Sequence, residues 1–242
     1  MAKPFLSIII PVKDNARILP LVLIDTDHFL GIHGASYEII VVDGGSADKT
    51  LEVAERLAPL FKNLKVLGGS GARGLGAMMR EGLVAAKGKW RVLLPGTGAV
   101  SAGEFYKVLP HLEAGYDLAI GSRFLPHSSI KPGLHIHQSL FRMLHNLFVR
   151  FLALPKIKDT ESGMMCISEH AVNCTLPFLQ IESAGGALEV AALAHRLGFK
   201  IKEFPIFWEN NSRFDYGHYW DVLVDALKIK WMLIKDKYKI KN

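Results

Sequence analysis

The chain has 242 residues, 50% of them hydrophobic and 21% charged, with a formal net charge of +6. That balance belongs to a globular chain with one sizeable core and excludes a disordered one. The two cysteines, Cys166 and Cys174, lack a Cys-x-x-Cys or Cys/His ligand spacing; they read as buried thiols, compatible with a reducing compartment.

Lys3-Pro4 leads straight into an apolar run and does not read as a signal peptide. No apolar stretch approaches the roughly 18 uninterrupted residues of a membrane span. The charge is uneven. Residues 228–242 carry +5, and residues 118–158 carry +6 with no Asp or Glu, which leaves −5 on the remainder. The carboxylate-free run, which also holds four His, points to an anionic partner or forms a solvated basic face.

In chain order, Phe5–Pro11 reads as a short apolar strand stopped by proline, and Asn15–Phe29 as a helix. Glu38–Val42 is the second strand. Ala47–Phe61 is an amphipathic helix with Leu51, Ala54, Leu57 and Ala58 on one face. Lys65–Leu67 is a third strand, followed by a glycine-rich loop over 68–74 and a helix over Leu75–Ala86. Trp90–Leu94 is the fourth strand, Ala102–Ala114 a helix and Asp117–Gly121 the fifth strand. The alternation predicts βαβ units and a largely parallel sheet. Beyond it, Gln138–Leu154 is a long apolar helix with interspersed Arg142, His145 and Arg150. Gly163–Ile167 is strand-like, and Leu188–Leu197 is a helix with Gly198 as its C-terminal cap. Phe199–Phe207 is the last strand and Tyr219–Lys237 a terminal helix. No internal repeat or low-complexity linker interrupts the chain, so a single domain over 1–242 is expected.

The most informative stretch is Ile39-Ile-Val-Val-Asp43-Gly44-Gly45-Ser46, a buried strand that ends in one carboxylate, two glycines and a capping serine. Ligands of open α/β sheets sit at the carboxyl ends of the strands. Asp43 can accept hydrogen bonds from a sugar or base there, or cap the next helix with Ser46 or Asp48. His135 and His137, two residues apart with no third ligand, read as a wet loop. A nicotinamide-binding Rossmann domain would carry Gly-x-Gly-x-x-Gly after its first strand; Pro-Val-Lys-Asp-Asn stands there instead.

The segments SIIIPVKDN (7–15), YEIIVVDGGSADKT (37–50), GLGAMMREGLVAAKGKW (74–90), YDLAIGSRF (116–124), KDTESGMMCIS (158–168) and ALEVAALAHRLGFKIKEFPIFW (187–208) follow one another in an order that resembles family 2 glycosyltransferases. The nearest subgroup is the dolichyl- or polyprenyl-phosphate hexose synthases. The resemblance implies a GT-A nucleotide-sugar fold: α/β, Rossmann-like, with a mostly parallel central sheet flanked by helices and a C-terminal amphipathic helix. Residues 1–123 would form the nucleotide-binding half and 124–242 the acceptor half. It implies that Pro11 and Asp14 line the nucleotide pocket and that Asp43 binds base or ribose. Gly71, Arg73, Gly74 and Arg213 would lie near phosphates. Ser122, Arg123, Asp159, Ser162 and Gly163 would face the sugar or acceptor, and Glu189 would help position the sugar. Each position also has a structural alternative: an ion pair for Arg123, a capped turn for Asp159, a solvated helix residue for Glu189, and a plain surface turn for the glycines.

One departure stands out. Gly96-Thr97-Gly98 occupies the place of the family's Asp-x-Asp, whose carboxylates hold a hard divalent cation against the diphosphate. A Mg or Mn site is therefore not expected. Basic side chains such as Arg73, Arg123 or Arg213 would neutralise the leaving group instead. The alternative is a catalytically silent relative that binds nucleotide or serves as a scaffold. Expected partners are a nucleotide diphosphate sugar, a lipid phosphate acceptor, an anionic membrane surface met by Gln138–Leu154 and Tyr219–Lys237, and possible homo- or hetero-oligomers; nucleic acid is not expected. The expected location is cytoplasmic and peripheral to the membrane.

Overall fold

The computed structural model describes residues 3–32, 34–68, 74–154, 156–161, 163–210 and 214–238. Its first half alternates strand and helix: β1 (Leu6–Val12), α1 (Leu19–Ile32), β2 (Tyr37–Asp43), α2 (Thr50–Leu57), β3 (Leu64–Leu67), α3 (Leu75–Ala85) and β4 (Trp90–Leu93). The β-branched runs of β1 and β2 are buried on both faces, as a central parallel strand requires.

The second half begins with the short α4 (Leu109–Glu113) and β5 (Leu118–Ser122), then β6 (Ser129–Lys131) and α5 (Ile136–Ala153). It continues through β7 (Met165–Ser168), α6 (Glu169–Thr175), α7 (Gly186–Arg196), β8 (Ile201–Pro205), β9 (Phe207–Glu209) and α8 (Tyr216–Ile234).

Seven strands form one sheet in the order β3-β2-β1-β4-β7-β5-β8. All pair in parallel except β7, which runs antiparallel to both β4 and β5. Each face carries its own core. Ile9, Ile40, Val42 and Leu93 face α3, α7 and α8, whereas Ile8, Ile10, Ile39 and Val41 face α1 and Phe105.

Four expectations are corrected. The helix expected from Asn15 starts at Leu19, because residues 16–18 form a turn closed by Ile18 N–H donating to the Asn15 carbonyl. The helix expected over Ala102–Ala114 is a 3₁₀ segment (Ala102–Lys107) followed by α4, which restarts with Pro110 in its first turn. Phe199–Phe207 is two strands, since β9 leaves the main sheet to pair with β6. His135 and His137 are exposed but not in a free loop: His135 is the N-cap of α5, its backbone N–H donating to the Gln138 side chain at 3.2 Å, and His137 lies in the first turn.

Candidate active site

Strand β1 pairs in parallel with β2 on one side and β4 on the other, so the strand order reverses there and a crevice opens at the carboxyl ends. Two loops line that rim on the β1–β2 side, and their carboxylates bind the loops themselves. Asp43 is buried and accepts from Gly45 N–H at 2.9 Å, Ser46 N–H at 3.1 Å and the Ser46 hydroxyl. Asp14, with φ +53°, accepts from Ala47 N–H at 2.7 Å, and its own N–H donates to Ser46 Oγ at 2.9 Å. Asp48 returns the contact by accepting from Ala16 N–H at 3.1 Å. These bonds lock the loop after Pro11 and Val12 to the loop after Asp43. Asp43 therefore closes its own turn over Gly45 and Ser46 and does not cap α2, whose N-cap Lys49 has no side-chain cap bond.

After β4 the chain turns through Leu94–Gly98. A Cβ on Gly96 would lie 2.4 Å from the Pro11 carbonyl oxygen and 2.6 Å from a Val12 methyl, and Gly98 has φ +69°. Residue 96 therefore has no room for a carboxylate, and a side chain at 98 would be strained. Glu104, the nearest downstream acid, accepts from Phe207 N–H at 3.1 Å and from Lys107. Among the described residues no group of three or more His, Cys, Asp or Glu could hold a metal ion. The residues of this turn do not fit the divalent cation that the family pattern implies.

On the other side of β4 lies a cleft of about 380 Å³. Pro95, Thr97, Arg123, Arg142, Glu161, Gly163, Trp208 and Tyr219 are among its walls. Arg123 follows β5 directly. Its Nε and an Nη atom each donate to Asp159 at 2.8 Å, and its backbone N–H adds a third bond of 2.8 Å. Its guanidinium also lies over Trp208, 4.8 Å from the ring centroid. Asp159 is fully buried. Burial pushes its carboxyl pKa up, but Arg123 outweighs that and holds it below the usual carboxylate range. The Asp159 backbone N–H and that of Lys158 donate to Glu203 of β8 at 2.9 and 2.8 Å, which fixes the loop.

Helix α5 supplies the floor. Its buried stripe is Arg142, His145, Asn146, Val149 and Ala153. Asn146 accepts from Thr160 N–H at 3.1 Å and from its hydroxyl at 3.0 Å, and donates to the Lys158 carbonyl. His145 Nδ1 lies 2.8 Å from Glu161 Oε1, and its Nε2 donates to the Tyr219 carbonyl at 2.8 Å. Arg142 is only 9% exposed, yet its Nε has no hydrogen-bond partner among the described residues. Burial, and then the neighbouring Arg123, hold its pKa below the ordinary guanidinium value. A buried guanidinium with an open donor in a cleft suits an anion. The only sequence signal for Arg142 is its place in the carboxylate-free run.

The opposite face of α5 is apolar and uncovered. Ile136 is 89% exposed, Phe151 74%, and Leu140, Met143, Leu144, Leu147 and Phe148 about half. Helix α8 packs on α5 and adds exposed Trp220 and Trp231. Phe141, Phe214, Tyr216 and Tyr219 form an aromatic cluster where the two helices meet beside the cleft. No helix among the described residues is long and apolar enough to cross a membrane.

The structure thus brings Arg123 and Gly163 to one cleft, with Arg142, Glu161 and Trp208, which sequence reasoning did not select; Asp159 is buried behind Arg123 and does not line it. Three expected site residues stand apart. Glu189 is buried, and its oxygens accept from Gln180 N–H, Ile181 N–H and the Tyr238 hydroxyl, so it holds the segment before α7 rather than facing the cleft. Burial raises its pKa against those bonds. Gly74 packs on the Glu182 carbonyl, and the first α3 amides, Gly76 and Ala77, donate to Ser183 and Glu182 carbonyls. Ser122 is buried with an unpartnered hydroxyl. Gly71, Arg73, Ser162 and Arg213 lie outside the described residues.

The sequence matches the family described as Glycosyl transferase family 2 over residues 7–174. The chain belongs to that family. It is 26% identical to the dolichyl-phosphate beta-glucosyltransferase of Dictyostelium discoideum, over 98% of this chain and 77% of the relative. The Saccharomyces cerevisiae dolichyl-phosphate beta-glucosyltransferase is 27% identical, over 93% of this chain and 72% of its own. Among solved structures, Mycobacterium tuberculosis glucosyl-3-phosphoglycerate synthase, in complex with Mn2+, UDP-glucose and phosphoglyceric acid, superposes with a TM-score of 0.69 at 18% identity. That likeness covers 94% of this chain and 80% of the synthase and shows a shared α/β fold.

Proposed function

We propose that this family 2 glycosyltransferase moves a hexosyl group from a nucleoside diphosphate sugar to a polyprenyl- or dolichyl-type lipid phosphate at a membrane surface. The reading is supported most by one observation: α5 sets Arg142, whose guanidinium lies over Phe124 and whose Nε has no hydrogen-bond partner among the described residues, in the cleft wall and turns an apolar face outward. A lipid phosphate needs both features, a cation for its head and an apolar surface at which the head is reached. The names of the curated relatives point the same way.

In the proposed reaction an acceptor phosphate oxygen attacks the anomeric carbon with inversion. The bond from that carbon to the diphosphate breaks, and the nucleoside diphosphate leaves with the electron pair. The attacking oxygen is already anionic, so no strong general base is needed. Arg142 holds the acceptor phosphate. Asp159 positions Arg123, whose charge faces the same cleft, and Gly163 shapes the acceptor side, to which the family resemblance also assigns Ser162. The interlocked loops carrying Pro11, Asp14 and Asp43 hold the nucleotide, and the family resemblance assigns Arg73 and Arg213 to its phosphates. No step is assigned to a divalent cation, because the turn at residue 96 leaves no space for a ligand.

That same turn favours a second reading, a silent family member that binds nucleotide without transfer. Calorimetric titration with UDP, GDP and their sugar conjugates, with and without Mg or Mn, tests both. Metal-independent binding of one nucleotide is expected. Binding that requires metal contradicts the account of the 95–98 turn, and binding without any transfer to lipid phosphate selects the silent reading.

A further inference from the structure

At the opposite rim of the sheet, where β1 to β4 begin, lies a second cavity of about 1,170 Å³. A polar row crosses the sheet beneath it in register. Ser7 of β1 pairs with Glu38 of β2 and with Arg91 of β4, while Lys65 of β3 is partnered with Ile40. Glu38 is saturated, accepting from the Ser7 hydroxyl, Lys87 N–H and Lys65 Nζ. Arg91 is not. It is 6% exposed, its Nε has no partner among the described residues, and its closest acid, Glu169, is 4.0 Å away. Glu169 itself is engaged by Lys3. The exposed Lys62 and Lys87 side chains complete the wall. Five cations thus surround the cavity against two carboxylates.

A buried guanidinium with an open donor is costly unless an acceptor reaches it. The excess of positive charge specifies that acceptor as a compact polyanion. We infer that this cavity is a second binding site, for a free phosphate compound such as inorganic polyphosphate or a small phosphorylated metabolite. It is remote from the cleft and independent of the function proposed above. The walls carry none of the exposed large apolar residues that mark α5 and α8, which favours a free anion over a lipid headgroup.

Lysine acetylation read by mass spectrometry tests this on the intact protein. Inorganic pyrophosphate is expected to slow labelling of Lys62 and Lys87 while leaving Lys228 on α8 unchanged. Lys62→Ser combined with Lys87→Ser, which alters only exposed side chains, and separately Arg91→Met, should each weaken pyrophosphate binding at this site by at least about tenfold. The lysine variant carries the test if Arg91→Met fails to fold. Absence of protection, unchanged affinity in the lysine variant, or protection by anionic vesicles but not by pyrophosphate would overturn the inference.

Discussion

Helices α3 and α5 bury opposite kinds of side chain. Helix α3 hides Met78, Met79 and Leu83 and shows Arg80 to solvent, as a helix of a water-soluble domain does. Helix α5 hides Arg142, His145 and Asn146 and shows Leu140, Leu144, Leu147, Phe148 and Phe151. The buried polar stripe of α5 is explained by the 158–161 loop it holds through Asn146 and His145 and, in the proposed function, by the acceptor phosphate assigned to Arg142. Its bare apolar face is a contiguous exposed apolar surface of the kind that marks an interaction site, which the proposed function assigns to a membrane. The difference teaches that inward and outward are set by what each face meets, not by hydrophobicity alone.

Two arginines sharpen the comparison, because Arg123 is paired with Asp159 whereas Arg142 lies over Phe124 with its Nε unbonded among the described residues. Asp159→Ala strands the buried Arg123 charge and should cost about 3–5 kcal/mol of stability, seen as a lower denaturation midpoint. Because the folded Asp159 pKa is depressed, its contribution is present above the unfolded value of about 3.9 and is lost as pH falls below it. Asp159→Asn should flatten that acid limb of the stability profile. By contrast, Arg142→Met removes an open guanidinium. It should lower transfer to lipid phosphate about a hundredfold, with the melting temperature unchanged or raised. A large loss of stability in that variant would break the distinction.

Smaller effects probe the turn and the apolar face. Gly96→Ala places a methyl against the Pro11 carbonyl and should destabilise by about 1–3 kcal/mol, measured by chemical denaturation. No change there would mean that position 96 could have carried a side chain after all. Trp220→Asp with Trp231→Asp should reduce binding to anionic vesicles in a flotation assay by about tenfold or more. Unchanged binding would leave the apolar face of α5 and α8 without its assigned neighbour.

Much of the fold was legible because the β-branched runs of β1 and β2 and the strand–helix alternation have one physical solution. Strand β7 was legible as a strand, but its antiparallel direction was not, since direction depends on the connection rather than on residue type. The three-residue β6 and β9 carry too little pattern to be seen. In the candidate site, the resemblance selected Arg123 and Gly163, which line the cleft, and Asp159, which is buried behind it and holds Arg123. Arg142 escaped because periodicity defines the two faces of a helix without saying which one turns inward. Glu189 was selected for its place at a helix start, yet its carboxylate reaches back to Gln180, Ile181 and Tyr238. The loss of carboxylates at 96 and 98 was plain in the sequence, but the contact of Gly96 with Pro11 exists only once β1 and β4 are paired.

The most direct measurement is transfer of labelled hexose from UDP- and GDP-sugars to a short-chain polyprenyl phosphate in anionic vesicles, with EDTA present. The account predicts label in the lipid fraction from one donor, and about a hundredfold less from Arg142→Met under the same conditions. Label that appears only when Mg or Mn is supplied, or no label from any hexose donor, would contradict it.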